Sequence, residues 1–372
     1  MALRPTYYLA DLQTGVLYGE TLPLEKVSLS SSLEPGRFSA MLDMRKLGEL
    51  GDGYRVRDLL LNGKCTLVPI LEGLSTGVGN PPTSRVLGEW WISEVEDSPP
   101  SPFLTLSGPE FAGYAQEVLL ATSRKSAALD PVGLAGDLLT ELYTTGQSIV
   151  VDVQGWANAA RVPVDFRAAT VTYWDAISDL QGAEGAPFEW MIRTTLELDG
   201  WAPRRVIRTW VVGQPRLAVD VPSVTLELAA PGQGPASLTG FSRGRSEHRS
   251  ASLIYGWGAG AGIDQLGPTS AARVRQVGEP VKSRMVSDRS ALTIPVLARQ
   301  TRAALTRATP AEQVFPAVMP TDRYIPRTGD VYSWRVDPQW TRPAESGSRR
   351  CVGWSWKSGQ AHDVYELQLT EE

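Results

Sequence analysis

Between Thr6 and Asp43 apolar and polar positions alternate in short bursts punctuated by turn residues. Two β-branched or aromatic runs flank Gly15, which can take positive φ, so Tyr7 to Glu20 is predicted to form a hairpin. Val27, Leu29 and Leu33 share a period-two face and predict a half-buried strand. Pro35-Gly36 suits a reversal into a fourth strand ending near Asp43. Four short antiparallel strands at the start of the chain predict a small barrel or sandwich.

The alternation continues with changes of period. Residues 51–62 suit a short helix or connector, and Pro69 places the apolar run Cys65–Leu71 at a sheet edge. Val86–Val95 and Phe103–Ser107 predict strands that close a first barrel near residue 110. Leu134, Leu138, Leu139 and Leu142 then recur at helical spacing behind an Asp130-Pro131 start, with Gly146 as a stop. Ser148–Val153 is a predicted strand, and Thr172 and Asp175 resemble a capping box for a second helix. A long hairpin turns at Asp199-Gly200 between Phe188–Arg193 and Arg205–Val212. Past residue 216 the pattern is again mostly strand. One helix opens near Pro295, with Leu297, Thr301, Ala304 and Leu305 inward and Arg299, Arg302 and Arg307 outward. The expected architecture is a β-rich multidomain α+β fold. Two tube-like antiparallel β-barrels, residues 1–110 and 216–372 (the latter with an inserted helix), flank a small α+β unit at 111–215.

Composition adds three constraints. The 35 Gly and 27 Pro suit many short strands and turns. Twelve Trp sit mostly in β patterns, where large aromatics fill cores. Neither a transmembrane run nor a signal-peptide core is present, so synthesis in a cytoplasm is expected. Cys65 and Cys351 are expected as reduced, buried thiols. Charge is uneven: residues 1–240 carry 18 basic against 28 acidic side chains, and residues 241–372 carry 18 against 13. Such a basic half can meet nucleic acid or the acidic half of a second copy.

Candidate chemistry is sparse. A Ser-His-Asp set would have to use His248 or His362, which lie in polar stretches with no G-x-S-x-G elbow. No C-x-x-C or H-E-x-x-H spacing suggests zinc. Gly256–Gly262 lacks both the phosphate-loop order and a following Lys-Ser/Thr, and suits a flexible or closely packed loop. Glu89, Glu94 and Glu96 read as the solvent side of a strand. The expectation is no enzyme, with no catalytic residue, no metal and no cofactor.

Leu9-Ala10-Asp11-Leu12-Gln13-Thr14-Gly15-Val16-Leu17, then Glu20–Leu24, then Leu33-Glu34-Pro35-Gly36-Arg37-Phe38-Ser39-Ala40, resemble the start of minor tail proteins of long-tailed actinobacterial phages. Those proteins are similar to the baseplate, or tail-tip, hub. The Leu138-Leu139 helix, Asp175-Ala176-Ile177, Phe188-Glu189-Trp190, the Gly256–Gly262 loop and Gly329-Asp330-Val331 extend the resemblance in order along the chain. It implies a virion protein at the tail tip, made in the host cytoplasm. It also implies a homotrimer whose six barrels adapt a sixfold tube to a threefold tip. The expected partners are the distal tail or tube protein, the tape-measure protein and other minor tail or fibre proteins, with no membrane before infection. Arg299, Arg302 and Arg307 are the candidate intersubunit contacts. Any peptidoglycan-cleaving or fibre extension is expected on another polypeptide. The alternative is a carbohydrate- or host-receptor-binding tail protein using Trp90, Trp91, Trp190, Trp210, Trp334, Trp354 and Trp356, with a glycosidase as a third reading.

Overall fold

The computed structural model describes residues 5–371 apart from 50–52, 75–82, 99, 145–147, 154, 156–159, 183–186, 201, 218–223, 229–237, 239, 242–243, 246–250, 261–263, 276–280, 288–290, 309–312, 321–325, 339–343 and 359–363. The chain is β-rich with few helices, and its strands fall into several sheets.

The opening hairpin forms as its pattern predicts. Thr6–Asp11 pairs with Leu17–Thr21, and the turn is held by Asp11, whose carboxylate accepts from the Gln13 and Thr14 amides at 3.1 and 2.7 Å. Gly15 has φ +72°, and a Cβ there would meet the Val206 carbonyl oxygen at 2.6 Å. Thr6–Asp11 also pairs along its length with Cys65–Leu74. That second strand is interior, because its other edge pairs with Thr83–Val86 and Trp90–Trp91. The edge placement expected from Pro69 is therefore corrected. Pro69 stands opposite Tyr7, and its carbonyl accepts from Leu87 on the far side at 3.0 Å. Its ring nitrogen thus faces the gap between two partner strands, where no donor is required.

The predicted strand Val86–Val95 is broken between two sheets. Trp90–Trp91 joins the first sheet, whereas Glu94–Asp97 pairs with Phe103–Pro109 in a second. This second sheet is the backbone of the fold. Leu24–Ser32, Arg37–Asp43, Phe103–Pro109 and Glu94–Asp97 continue directly into Gln313–Pro320, Val331–Val336, Glu345–Lys357 and Val364–Glu371. The joint is Glu345–Lys357, long enough at 13 residues to pair with three strands. One edge lies on Val364–Glu371; the other takes Val331–Val336 along its first half and Leu24–Ser32 along its second. A bulge between Cys351 and Gly353 brings Cys351, Trp354 and Trp356 to the same buried side. The expected barrel in each terminal third is corrected to this extent: among the described residues no barrel closes, and both thirds share one sheet. Each third has a one-sided apolar face, and a single core takes Leu29, Phe38 and Trp90 from one and Trp334, Trp354 and Tyr365 from the other. Trp90 meets Trp354 edge-on at 6.3 Å.

The middle of the chain carries both helices and strands. Asp130 caps the helix Pro131–Thr144, accepting from the Val132 and Gly133 amides at 3.0 and 3.2 Å. Thr172 caps Tyr173–Gln181 through the Asp175 amide at 3.1 Å. Glu189–Asp199 and Ala202–Gly213 form the long hairpin. Residues 148–153, predicted as a strand, instead run beside that hairpin with one bridge, Asp152 to Thr209. The expected stop Gly146 lies outside the described residues. Near the C-terminus Leu253–Trp257 pairs with Thr269–Ala272 and Ser283–Ser287, and the helix Ile294–Ala308 packs on them. Gly256 allows that packing: a Cβ there would lie 1.9 Å from the Thr301 hydroxyl. Close packing, rather than phosphate binding, accounts for the start of the Gly-rich stretch; Gly262 lies outside the described residues.

Candidate functional site

Alternation places Glu89 toward solvent, and the structure corrects this. Its side chain is 0% exposed and that of Arg208 1%. Arg208 grips the carboxylate with two bonds, Nη2 to Oε1 at 2.7 Å and Nε to Oε2 at 2.9 Å. Thr66 donates to Oε1 at 2.6 Å. The remaining guanidinium hydrogens go to the carbonyls of Leu12 at 2.7 Å, Asp11 at 3.3 Å and Gln13 at 3.4 Å. The Phe111 ring lies 4.3 Å from the guanidinium carbon. A buried charge is tolerated only when paired and hydrogen-bonded, and here both conditions hold. The cluster ties the opening hairpin and the first sheet to the long hairpin.

Two further clamps repeat the device. Arg350 binds both oxygens of Glu189 and donates from Nε to the Leu217 carbonyl at 2.9 Å, while the Leu217 amide returns to Glu189 Oε2 at 2.9 Å. Arg299 Nη2 meets Asp179 Oδ2 at 2.5 Å and Nη1 the Asp179 carbonyl at 3.3 Å. The outward placement of Arg299 is thereby corrected: it is buried, and it fastens the Ile294–Ala308 helix to Tyr173–Gln181. Arg302 is exposed as expected, and the side chain of Arg307 lies outside the described residues. Ala303 takes the inward position expected of Ala304, against Gly182. The pairs are separated by 119, 161 and 120 positions, so no local spacing announces them.

Beside the first clamp opens a cavity of about 450 Å³, bounded by Arg85–Glu89 on one side and Met191–Leu196 on the other. That volume falls in the range of ligand pockets. Glu110 reaches it, accepting from the Ser31 hydroxyl at 2.9 Å and the Gly36 amide at 3.2 Å. Burial pushes the Glu110 carboxyl up to about 7, against the pull of those two donors and of the Ser32 amide. Cys65 and Cys351 are buried thiols, as expected, each pushed up to about 12 chiefly by burial. Such thiols are poor nucleophiles. His248 and His362 lie outside the described residues. Among the described residues no cluster of three or more His, Cys, Asp or Glu is placed to hold a metal ion. No helix among them is long and apolar enough to cross a membrane. Trp90, Trp190, Trp210, Trp334, Trp354 and Trp356 are all buried and Trp91 is half-buried, so these rings fill cores and make no exposed stacking platform.

Solved structures match the chain from end to end, among them two with TM-scores above 0.5. The fold is one found in solved tail proteins. A tail protein from Neisseria meningitidis MC58 superposes with a TM-score of 0.57 at 13% identity, covering 98% of this chain and 97% of its own. The 43 kDa tail protein of prophage MuSo2 from Shewanella oneidensis gives 0.52 at 10% identity, covering 98% of each chain. No protein-family model and no curated protein sequence matches. At these identities the likeness is one of fold.

Proposed function

We propose that this chain is a structural, non-enzymatic tail-tip hub of a long-tailed phage, of the kind carried by actinobacterial phages. Three copies form a ring that adapts the sixfold tube to a threefold tip. The ring seats the end of the tape-measure protein and carries further tip or fibre proteins. One observation carries this reading: the whole chain, rather than one module of it, has the fold of two solved tail proteins. The architecture supports it mechanically. A sheet that joins the two ends of the chain, together with three Arg–carboxylate clamps between distant elements, makes a stiff subunit suited to transmitting load.

A threefold ring also explains how the sheet edges are covered, because head-to-tail contacts between identical neighbours close under cyclic symmetry. In that ring two tube-like β units per subunit, one from each terminal third, alternate around the axis. Arg302, exposed on the Ile294–Ala308 helix, is one candidate contact between neighbouring subunits. Reversing it to Glu is expected to weaken trimers, and more so at low salt, since exposed pairs are screened over about 8–10 Å at physiological ionic strength. The deciding experiment is a map of the virion. Three copies around the tail axis are expected; six copies in one ring, or a single axial copy, would overturn the assignment.

A further inference from the structure

The lining of the 450 Å³ cavity is unbalanced in charge. Arg85, Arg193 and Arg327 all border it, and among the described residues no carboxylate lies within ion-pair distance of any of them. Of the two carboxylates in the lining, Glu89 is neutralised by Arg208, and Glu110 spends its oxygens on Ser31 and Gly36. Arg193 is held below the usual arginine range by burial first, then by the neighbouring Arg327, with Asp330 opposing. At the same place Thr328 is 2% exposed, yet its hydroxyl has no hydrogen-bond partner. A buried hydroxyl without a partner costs about 1–3 kcal/mol, and a ligand oxygen would relieve it. Three guanidiniums with no carboxylate of the described residues in ion-pair reach, bordering the same cavity as an unsatisfied hydroxyl, make a receptor for oxyanions.

We propose that this cavity binds an acidic peptide segment of another polypeptide. Its carboxylates meet Arg85, Arg193 and Arg327, and one carboxylate oxygen accepts from Thr328. The lining argues for a peptide over a nucleic acid. Apolar side chains such as Leu87, Met191 and Leu196 alternate with the charges, whereas nucleic-acid sites follow a backbone with a run of phosphate contacts. Main-chain partners are also at hand. Among the described residues Thr83–Val86 ends its sheet and Glu189–Asp199 is paired along one edge only, so an extended peptide can join one of these ladders. The inference stands on the cavity alone and does not need the ring assignment.

The test uses the full chain and fluorescein-labelled octapeptides read by anisotropy. The probes are four Glu-Val repeats, the same peptide with Gln for Glu, and the same with Lys for Glu. The Glu peptide is expected to bind and the other two to bind at least about tenfold more weakly, with affinity falling as salt is raised. Arg193→Gln with Arg327→Gln should remove that preference without lowering the unfolding temperature, because the fold covers both residues only in part. Thr328→Val, which keeps the shape, should weaken the Glu peptide and leave the Gln peptide unchanged. The proposal is overturned by any of four results. They are equal binding of the Gln peptide, unchanged binding in the double variant, citrate alone matching the Glu peptide, or an oligothymidylate displacing it through the same arginines. Charge-dependent self-association lost in the double variant would likewise reassign the cavity to a second copy of this chain.

Discussion

The core shared by the two ends of the chain and the patch beneath the Ile294–Ala308 helix solve the same problem with different means. The first gathers Leu29, Phe38, Trp90, Trp354, Trp356 and Tyr365, among many others, from strands at both ends of the sequence. Among the described residues the second joins just Ala291, Val296 and Leu297 into a contiguous cluster, with Leu266 against them. Burial of apolar area scales with the number and size of such side chains, so the small patch cannot hold a helix by the hydrophobic effect alone. Polar anchors make up the difference: Arg299 on Asp179, and the Thr301 hydroxyl, which donates to the Leu297 carbonyl and meets Thr269 at 2.7 Å. The large core tolerates irregular connections because its packing is redundant. The small one depends on a few contacts with defined geometry.

The largest loss of stability is expected at Trp354. Trp354→Ala leaves a void between Trp90 and Tyr365 and is expected to cost about 3–5 kcal/mol, read as a lowered global unfolding midpoint in denaturant. If the loss stays local, with midpoint unchanged, the two ends do not share a cooperative core.

Next comes the clamp that fastens the long hairpin to that core. Arg208→Met strands the Glu89 carboxylate in a site with 0% exposure and is expected to destabilise by about 3–5 kcal/mol. Adding Glu89→Met should recover much of the loss, since the cost lies in the unpaired charge. A double-mutant cycle checks this; a purely additive double variant would show that the pair is not coupled.

The small patch should respond differently. Asp179→Asn weakens the Arg299 anchor, and the expected change is faster amide exchange along Ile294–Ala308 with little movement of the global midpoint. Equal loosening of Tyr332 and Leu367 in the large core would show that the helix and that core unfold as one unit.

Glu110 sharpens the picture most gently. Its folded carboxyl titrates near 7 against an ordinary value of 4.5, so between those values the folded state binds the extra proton. The contribution of this group is fully present below pH 4.5 and is lost as pH rises toward 7, at up to about 1.4 kcal/mol per pH unit. Glu110→Gln should flatten that segment of the stability–pH curve. An unchanged slope would show that Glu110 is not the titrating group.

Local pattern was a sound guide wherever the governing forces were local. The hairpin turning at Gly15, the Asp130 and Thr172 caps, the long hairpin about Asp199-Gly200 and the inward Leu297 were all legible, because turns, caps and amphipathic faces depend on neighbours within a few residues. Burial of the tryptophans was legible for a similar reason, as was the β-rich α+β class. What tertiary structure alone decided was which faces meet. Pro69 lies inside a sheet because its ring nitrogen falls opposite a break between partner strands. Glu89 and Arg299 are buried because their counter-charges arrive from 119 and 120 positions away. The two ends share a sheet because the strand around Cys351 bulges and pairs on both edges. Alternation specifies that a strand has an apolar side; it carries no information about the identity of the surface that covers it, which is settled by the whole chain minimising exposed apolar area and unpaired charge at once.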